Sequence, residues 1–272
     1  MAADLPAADV GVFGGSGFYS FLDDVEEVAV QTPFGAPSAR LRVGTLAGCR
    51  VAFLARHGTG HEVPPHRVNF RANVWAMRRL GVRRLISPCA VGSLQPRVHP
   101  GEFVVLDQLV DRTRGRADTF FDGPLVNSIS FADPYCPELR AVAVEAVRAA
   151  GVTAHERGTV VVIQGPRFST RAESGWFRSA GWDVVNMTQY PEAALARELG
   201  MCFCGIALVT DYDTGLEGVE GIEPVTMDAI FAMLDANIEN VRAVLTGMVP
   251  AIAAERACRC ADGTVDPGSL GL

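Results

Sequence analysis

The stretch VVVIQGPRFSTRAESGWFRSAGWDVVNMT, residues 160–188, decides the fold. Residues 160–163 are consecutive apolar residues, closed off by Gly165-Pro166. Such a run suits a strand buried on both faces, in the middle of an α/β sheet. A helical stretch follows, then a second strand ending at Asn186-Met187-Thr188. Ligand sites in sheets of this kind lie at the carboxyl ends of the strands. Here one strand end carries Arg167, Phe168 and Ser169, and the other carries Met187 and Thr188. Ser169 or Thr170 would serve equally as the N-cap of the intervening helix.

The same alternation extends in both directions. Strands are expected over 10–13, 41–43, 51–55, 84–89, 103–106 and 202–210, and helices over 68–80, 137–150, 191–199 and 226–254. No linker-like stretch and no repeat interrupts them. The expectation is one α/β domain over residues 1–272, a mixed and mostly parallel sheet flanked by helices. Loose tails are expected at about 1–9 and 256–272. The polar segment 111–137 is too long for a plain connector and reads as a functional or interface loop.

Composition narrows the function. With 272 residues and 49% apolar content, the chain can bury a full core. Its net charge is −7 and it has no basic stripe, which argues against a nucleic-acid partner. No apolar run is long enough to span a membrane. The first ten residues, MAADLPAADV, lack a signal-like core, so a cytoplasmic protein is expected. The seven cysteines are scattered. Cys258-Arg259-Cys260 invites a disulfide or a metal, but two thiols are too few for a zinc site, and no metal is expected. His57, His61 and His66 do not form a helical zinc pair either. Pro64 and Pro65 forbid the helix that pair needs.

The strand ends collect the chemistry. Gly14-Gly15-Ser16-Gly17 follows the first strand, and several glycines let backbone N–H groups approach an anion. It is neither a phosphate-binding Walker loop nor a nucleophile elbow, because the residues those motifs require are missing. Arg56 and His57 end the strand over 51–55. A guanidinium there suits a phosphate or carboxylate, or else a structural ion pair. Cys89 and Ala90 end another strand. Thr210, Asp211 and Asp213 end the last one, and two acidic groups side by side suit a ligand that donates hydrogen bonds or takes up a proton.

Read in order, GGSG (14–17), ARHG (55–58), VNFRANVWA (68–76), CAVGSL (89–94), DQLVDRT (107–113), FADPYCP (131–137), QGPRFSTRAES (164–174), VNMTQYPEAALARE (185–198) and TDYD (210–213) resemble the trimeric purine nucleoside phosphorylase superfamily. Within it they resemble the 5′-methylthioadenosine phosphorylases, over roughly residues 10–245. The resemblance implies phosphorolysis: phosphate attacks C1′ of a purine nucleoside and the free base leaves. It implies Ser16, Arg56, His57, Cys89, Ala90 and Thr188 around phosphate. Phe168, Ser169, Met187 and Thr210 would border base and ribose, and Asp211 and Asp213 would face the purine as the catalytic pair. Met227, Ile230 and Phe231, with Ser128 from a neighbouring subunit, would border the 5′ substituent. The family pattern implies a homotrimer with sites at subunit interfaces. No organic cofactor or metal is implied; inorganic phosphate is a co-substrate.

Two departures from the family pattern, and two positions that argue for the base, shape this expectation. Cys89 stands where the family usually has Thr, and Ser128 where it has His. Ser169 and Asp211 stand where the 6-oxopurine enzymes have Glu and Asn. An ionised carboxylate only accepts hydrogen bonds, so Asp211 suits the 6-amino group of adenine. Adenosine, another 5′-modified adenosine or a 6-oxopurine nucleoside are alternative substrates. A nucleoside-binding protein without turnover is the alternative of another class. Such a binder would have no use for a phosphate set.

Overall fold

The computed structural model describes residues 5–14, 22–123, 125–216, 222, 226–252, 254–262 and 264. The strands are β1 (Val10–Gly14), β2 (Asp23–Val28), β3 (Leu41–Leu46), β4 (Cys49–Ala55), β5 (Arg84–Ser93), β6 (Phe103–Val105), β7 (Gln108–Arg112), β8 (Ala154–His155), β9 (Thr159–Ile163), β10 (Val184–Asn186) and β11 (Cys202–Tyr212). The helices are α1 (Phe70–Arg79), α2 (Pro137–Ala149), α3 (Arg171–Ser179), α4 (Gln189–Glu198) and α5 (Met227–Ala251). All the strands join one mixed sheet, ordered β2-β3-β4-β1-β5-β10-β9-β7, with β11 also pairing β5 and leading through β6 to β8. Most neighbours are parallel; β2/β3, β3/β4, β5/β10 and β6/β11 are antiparallel.

β5 organises the sheet. Its residues Arg84, Leu85 and Ile86 pair with β1, while Gly92 and Ser93 pair with β10. Its other edge runs beside β11 from end to end. Between Ile86 and Gly92 neither β1 nor β10 covers that first edge. This opening is where the sheet admits a ligand, as at the switch points of other α/β sheets.

Three apolar clusters hold the layers. Val74, Trp75 and Met77 of α1 meet Leu195 and Ala196 of α4 over one face of the sheet. Leu139, Val144 and Val147 of α2 meet Val241, Leu245 and Met248 of α5 over the other. Phe177 of α3 packs on Leu94, Val161 and Val185. Local chemistry fixes the helix starts. Asn69 caps α1 by accepting from the Ala72 N–H. Thr170, not Ser169, caps α3 through a reciprocal box with Glu173, and Arg167 forks onto the same carboxylate at 2.7 and 2.8 Å. Ser169 is thereby left for another task.

One expectation needs correction. The ends are not loose where they are described. Ala8 is buried and its N–H donates to the Leu80 carbonyl at 2.9 Å. Arg256 donates to the Gly200 carbonyl at 2.7 Å, and Cys260 is buried. The stretch 23–28, DDVEEV, which no expectation covered, has no apolar alternation yet forms β2. It is an edge strand whose exposed acids pair with Arg42 and Arg50 of β3 and β4. Among the described residues no helix is long and apolar enough to cross a membrane.

Candidate active site

A cavity of about 410 Å³ opens at the carboxyl ends of the strands, against the uncovered edge of β5. Arg56, His57, Cys89, Ala90, Phe168, Ser169, Met187, Thr188, Thr210, Asp211 and Asp213 all line it. These side chains come from the ends of β4, β9, β10 and β11, from the loops that follow, and from the middle of β5: Cys89 and Ala90, expected to end a strand, lie inside β5, which runs on to Ser93. Of the other expected residues, Ser16 lies outside the described residues. Met227, Ile230 and Phe231 fall at the start of α5, and their side chains also lie outside them. Ser128 is exposed and does not line this chain's own cavity. From α5, Asp235 and Ile238 line the cavity.

Arg56 is buried, and its fork closes on a protein partner. Nε donates to Glu192 Oε1 at 2.6 Å, and Nη2 to Glu192 Oε2 at 3.2 Å and Ser87 Oγ at 2.6 Å. Nη1 donates to the Pro88 carbonyl at 3.3 Å. Four of the five guanidinium N–H groups are thus engaged among the described residues. The sequence left phosphate contact and structural ion pair as alternatives for Arg56. The pair exists, and it leaves one Nη1 N–H rather than a fork for a ligand. Glu192 is fully buried in α4 and also accepts from Ser87 Oγ at 2.8 Å. Gln189 extends the network, donating to Ser87 Oγ at 2.9 Å and to Cys89 Sγ at 3.4 Å. Ser87, Gln189 and Glu192 are site residues that motif reading did not single out.

His57 faces the cavity beside His61, with ring centroids 4.9 Å apart. Its Nδ1 lies 2.9 Å from the Val63 carbonyl. A carbonyl only accepts, so Nδ1 carries the proton and Nε2 keeps a lone pair. Burial, then the neighbouring Arg56 charge, lowers the imidazole pKa to about 4. The ring is neutral at neutral pH. Burial pushes the Cys89 thiol up to about 12, so it is a neutral S–H there too.

Asn186 builds the loop after β10. Its Oδ1 accepts from the Thr188 and Gln189 N–H groups at 2.6 and 2.8 Å, and its Nδ2 donates to the Ala90 carbonyl at 3.1 Å. One side chain thereby ties the end of β10 to the middle of β5 and sets Met187 and Thr188 on the cavity wall.

The acidic pair owes its position to a bulge. The β11/β5 register runs Val209↔Val91 and then Asp211↔Gly92, so Thr210 is an extra residue. A bulge re-aims the side chains beside it. The Thr210 hydroxyl donates to Asp211 Oδ2 at 2.7 Å. Gly92 makes room: a Cβ there would lie 3.1 Å from Asp211 Oδ1 and 3.3 Å from Asp213 Cβ. Burial raises the Asp211 pKa to about 6 against the pull of Thr210, and Asp213 adds to the rise. Burial also raises Asp213, while the hydroxyls of Ser174 and Ser169 oppose it. Asp213 Oδ2 is buried without a hydrogen-bond partner among the described residues. An unpaired oxygen at a cavity wall is a group waiting for a ligand donor.

The cavity therefore holds a neutral imidazole, a hydroxyl and one guanidinium N–H on one side. On the other it holds two acids that keep protons unusually well. Known proteins match most of this chain. The phosphorylase superfamily profile matches residues 9–250. A purine nucleoside phosphorylase of Streptomyces coelicolor is 53% identical over 273 residues, covering 96% of each chain. An S-methyl-5′-thioadenosine phosphorylase of Mycolicibacterium smegmatis is 54% identical over 250 residues, covering 92% of this chain and 93% of that one. The crystal structure of a methylthioadenosine phosphorylase from an antarctic soil metagenomic library superposes with a TM-score of 0.89 at 39% identity, covering 97% of this chain and 94% of that one. A matching profile over nearly the full length, with relatives above half identity, shows that this chain belongs to the phosphorylase superfamily.

Proposed function

We propose that the protein is a pentosyltransferase that cleaves 5′-methylthioadenosine with inorganic phosphate, giving adenine and 5-methylthioribose 1-phosphate. The observation that carries this reading is the pairing, in one cavity, of the Arg56, His57 and Thr188 side with Asp211, an acid whose pKa is pushed up to about 6. A phosphate oxygen forms the new bond to C1′ as the bond from C1′ to N9 breaks. The electron pair leaves with the purine, and a proton from Asp211 to N7 neutralises it. At pH 7 a pKa of about 6 keeps about a tenth of Asp211 protonated, against about a thousandth for an ordinary aspartate. Proton delivery of this kind contributes about 10²–10⁴-fold.

Phosphate, in this reading, meets His57 Nε2, the Thr188 hydroxyl, β5 at Cys89 and Ala90, Ser16 and the remaining Arg56 N–H. His57 Nε2 only accepts, so it suits the O–H of a singly protonated phosphate. Phe168, Ser169, Met187 and Thr210 border base and ribose. Phosphate is a co-substrate, and the bond changes require no metal or organic cofactor.

Asp235 favours a second reading at the 5′ end. A carboxylate on the cavity wall suits a 5′-hydroxyl better than a thioether, which would make adenosine the substrate. A panel of methylthioadenosine, adenosine, inosine and methylthioinosine, each with phosphate, separates these readings. The expected order places methylthioadenosine first by kcat/KM; adenosine first would favour the second reading, and inosine first would overturn both.

The homotrimer implied by the family resemblance belongs to the same proposal. The segment around Leu125 and Val126 presents apolar side chains to solvent, with Val126 81% exposed. Docked on a neighbour, it would carry Ser128 towards that neighbour's cavity. Sedimentation is expected to show three chains per particle. An active monomer would refute the assembly.

A further inference from the structure

Cys136, Cys202, Cys258 and Cys260 are far apart in sequence, yet their sulfurs all lie within 4.8 Å of one another. Sequence spacing offered only the pair Cys258 and Cys260. The fold adds Cys136 from the N-cap of α2 and Cys202 from the first residue of β11. Three of the four are buried and Cys258 is half-buried. None is bonded to another; Cys202 and Cys258 sulfurs stand 3.4 Å apart.

These separations have the size of a tetrahedron around a single ion. Zinc–sulfur bonds of about 2.3 Å put the corners of a tetrahedron about 3.8 Å apart. A disulfide would need about 2.05 Å. An iron–sulfur cluster needs room for several metal and sulfide atoms, and four sulfurs this close leave none. The surroundings support an ion. Arg84 is buried with Nη1 3.8 Å from Cys202 Sγ, the kind of outer N–H contact that steadies a thiolate ligand. The segment carrying Cys258 and Cys260 is also fixed independently of the sulfurs. Arg256 donates to the Gly200 carbonyl at 2.7 Å, and the Ala257 N–H to Glu138 Oε1 at 2.7 Å.

We propose that these four cysteines, as thiolates, hold one structural zinc ion that fastens the C-terminal segment to the base of the sheet. Binding displaces the thiol protons to solvent and leaves a tetrathiolate centre of net charge −2, which Arg84 partly offsets. The centre does not take part in the reaction proposed above. Cys202 and Asp211 stand at opposite ends of β11, and nine residues at about 3.3 Å each separate them by roughly 30 Å. In the cytoplasmic setting expected from the sequence, thiols stay reduced and available to a metal.

The test uses the untagged full-length protein from cells grown with ample zinc. Elemental analysis and native mass spectrometry are expected to find about one zinc per chain, as a single tetrathiolate site requires. After unfolding with a chelator and no reductant, all seven cysteines should titrate as thiols. Only Cys49, Cys89 and Cys204 titrating, with no zinc, would mean two disulfides and would overturn the proposal. Seven thiols with no zinc would overturn it as well. The paired change Cys258→Ser and Cys260→Ser should abolish zinc binding and lower the melting temperature while kcat stays unchanged. Retention of one zinc by that variant would contradict the assignment. Cobalt offered in place of zinc should give the thiolate charge-transfer band and the intense visible bands of a tetrahedral centre; an octahedral spectrum would contradict it.

Discussion

Asp211→Asn is expected to lower kcat/KM for 6-aminopurine nucleosides about 10²–10⁴-fold, the range for losing a positioned proton donor. It should also move preference towards 6-oxopurines. An amide can donate to O6, where a carboxylate only repels it. The same substitution has a signature in stability. The native carboxyl holds its proton up to about pH 6, whereas its ordinary value is 3.8. A raised carboxyl contributes most to stability below pH 3.8, and that contribution is lost as pH rises through 6. Two pKa units correspond to about 3 kcal/mol at neutral pH. Asn carries no charge to bury, so the variant should melt higher than the parent at pH 7. The gain should fade as pH approaches 4. An enzyme made less active and more stable together would identify Asp211 as a group kept strained for function. Unchanged turnover and unchanged base preference would show that Asp211 does not read the base.

Arg56→Ala should produce the opposite pattern, losing stability and phosphate together. Its guanidinium pairs with a carboxylate that is wholly buried. Removing one partner of a buried pair costs about 3–5 kcal/mol, because the other charge is left uncompensated. For a chain of this size that is a fall of about 6–20 °C in melting temperature. The proposed phosphate contact adds a second effect. One charge-assisted hydrogen bond is worth about 1.5–3 kcal/mol, so the KM for phosphate should rise roughly 10–150-fold with a much smaller change for nucleoside. Arg56→Ala combined with Glu192→Ala tests the division. The double variant removes the buried charge along with its partner, so much of the stability should return while phosphate KM stays high. Recovery of phosphate KM with stability would show that Arg56 acts only by holding Glu192 in place.

How much of this was legible beforehand follows from the range of each interaction. The strand ends were readable because apolar runs such as 160–163 and 202–210 stop abruptly at polar residues. Those stops delivered the cavity wall from Arg56 to Asp213. β2 was not readable: an edge strand rich in acids shows no apolar alternation. The bulge at Thr210 has no local mark in TDYD, since it exists only relative to the register of β5. Arg56 and Glu192 are 136 residues apart, so neither residue's neighbours announce the pair. The four-sulfur cluster is the same problem enlarged. A Cys-x-Cys pair is visible in a sequence, but the two cysteines that complete it arrive from the cap of α2 and the foot of β11. Asn186 could have been found, as an Asn at a strand end followed by a loop is a common turn-former. Ser16 and the start of α5, with Met227, Ile230 and Phe231, remain expectations drawn from the family resemblance.

Phosphorolysis is tested by adenine release from methylthioadenosine, followed with and without inorganic phosphate. Release is expected to require phosphate, to saturate with it, and to yield one 5-methylthioribose 1-phosphate for each adenine. Adenine appearing at the same rate without phosphate, with free methylthioribose as the second product, would contradict phosphorolysis. Tight nucleoside binding with no adenine under either condition would contradict catalysis itself.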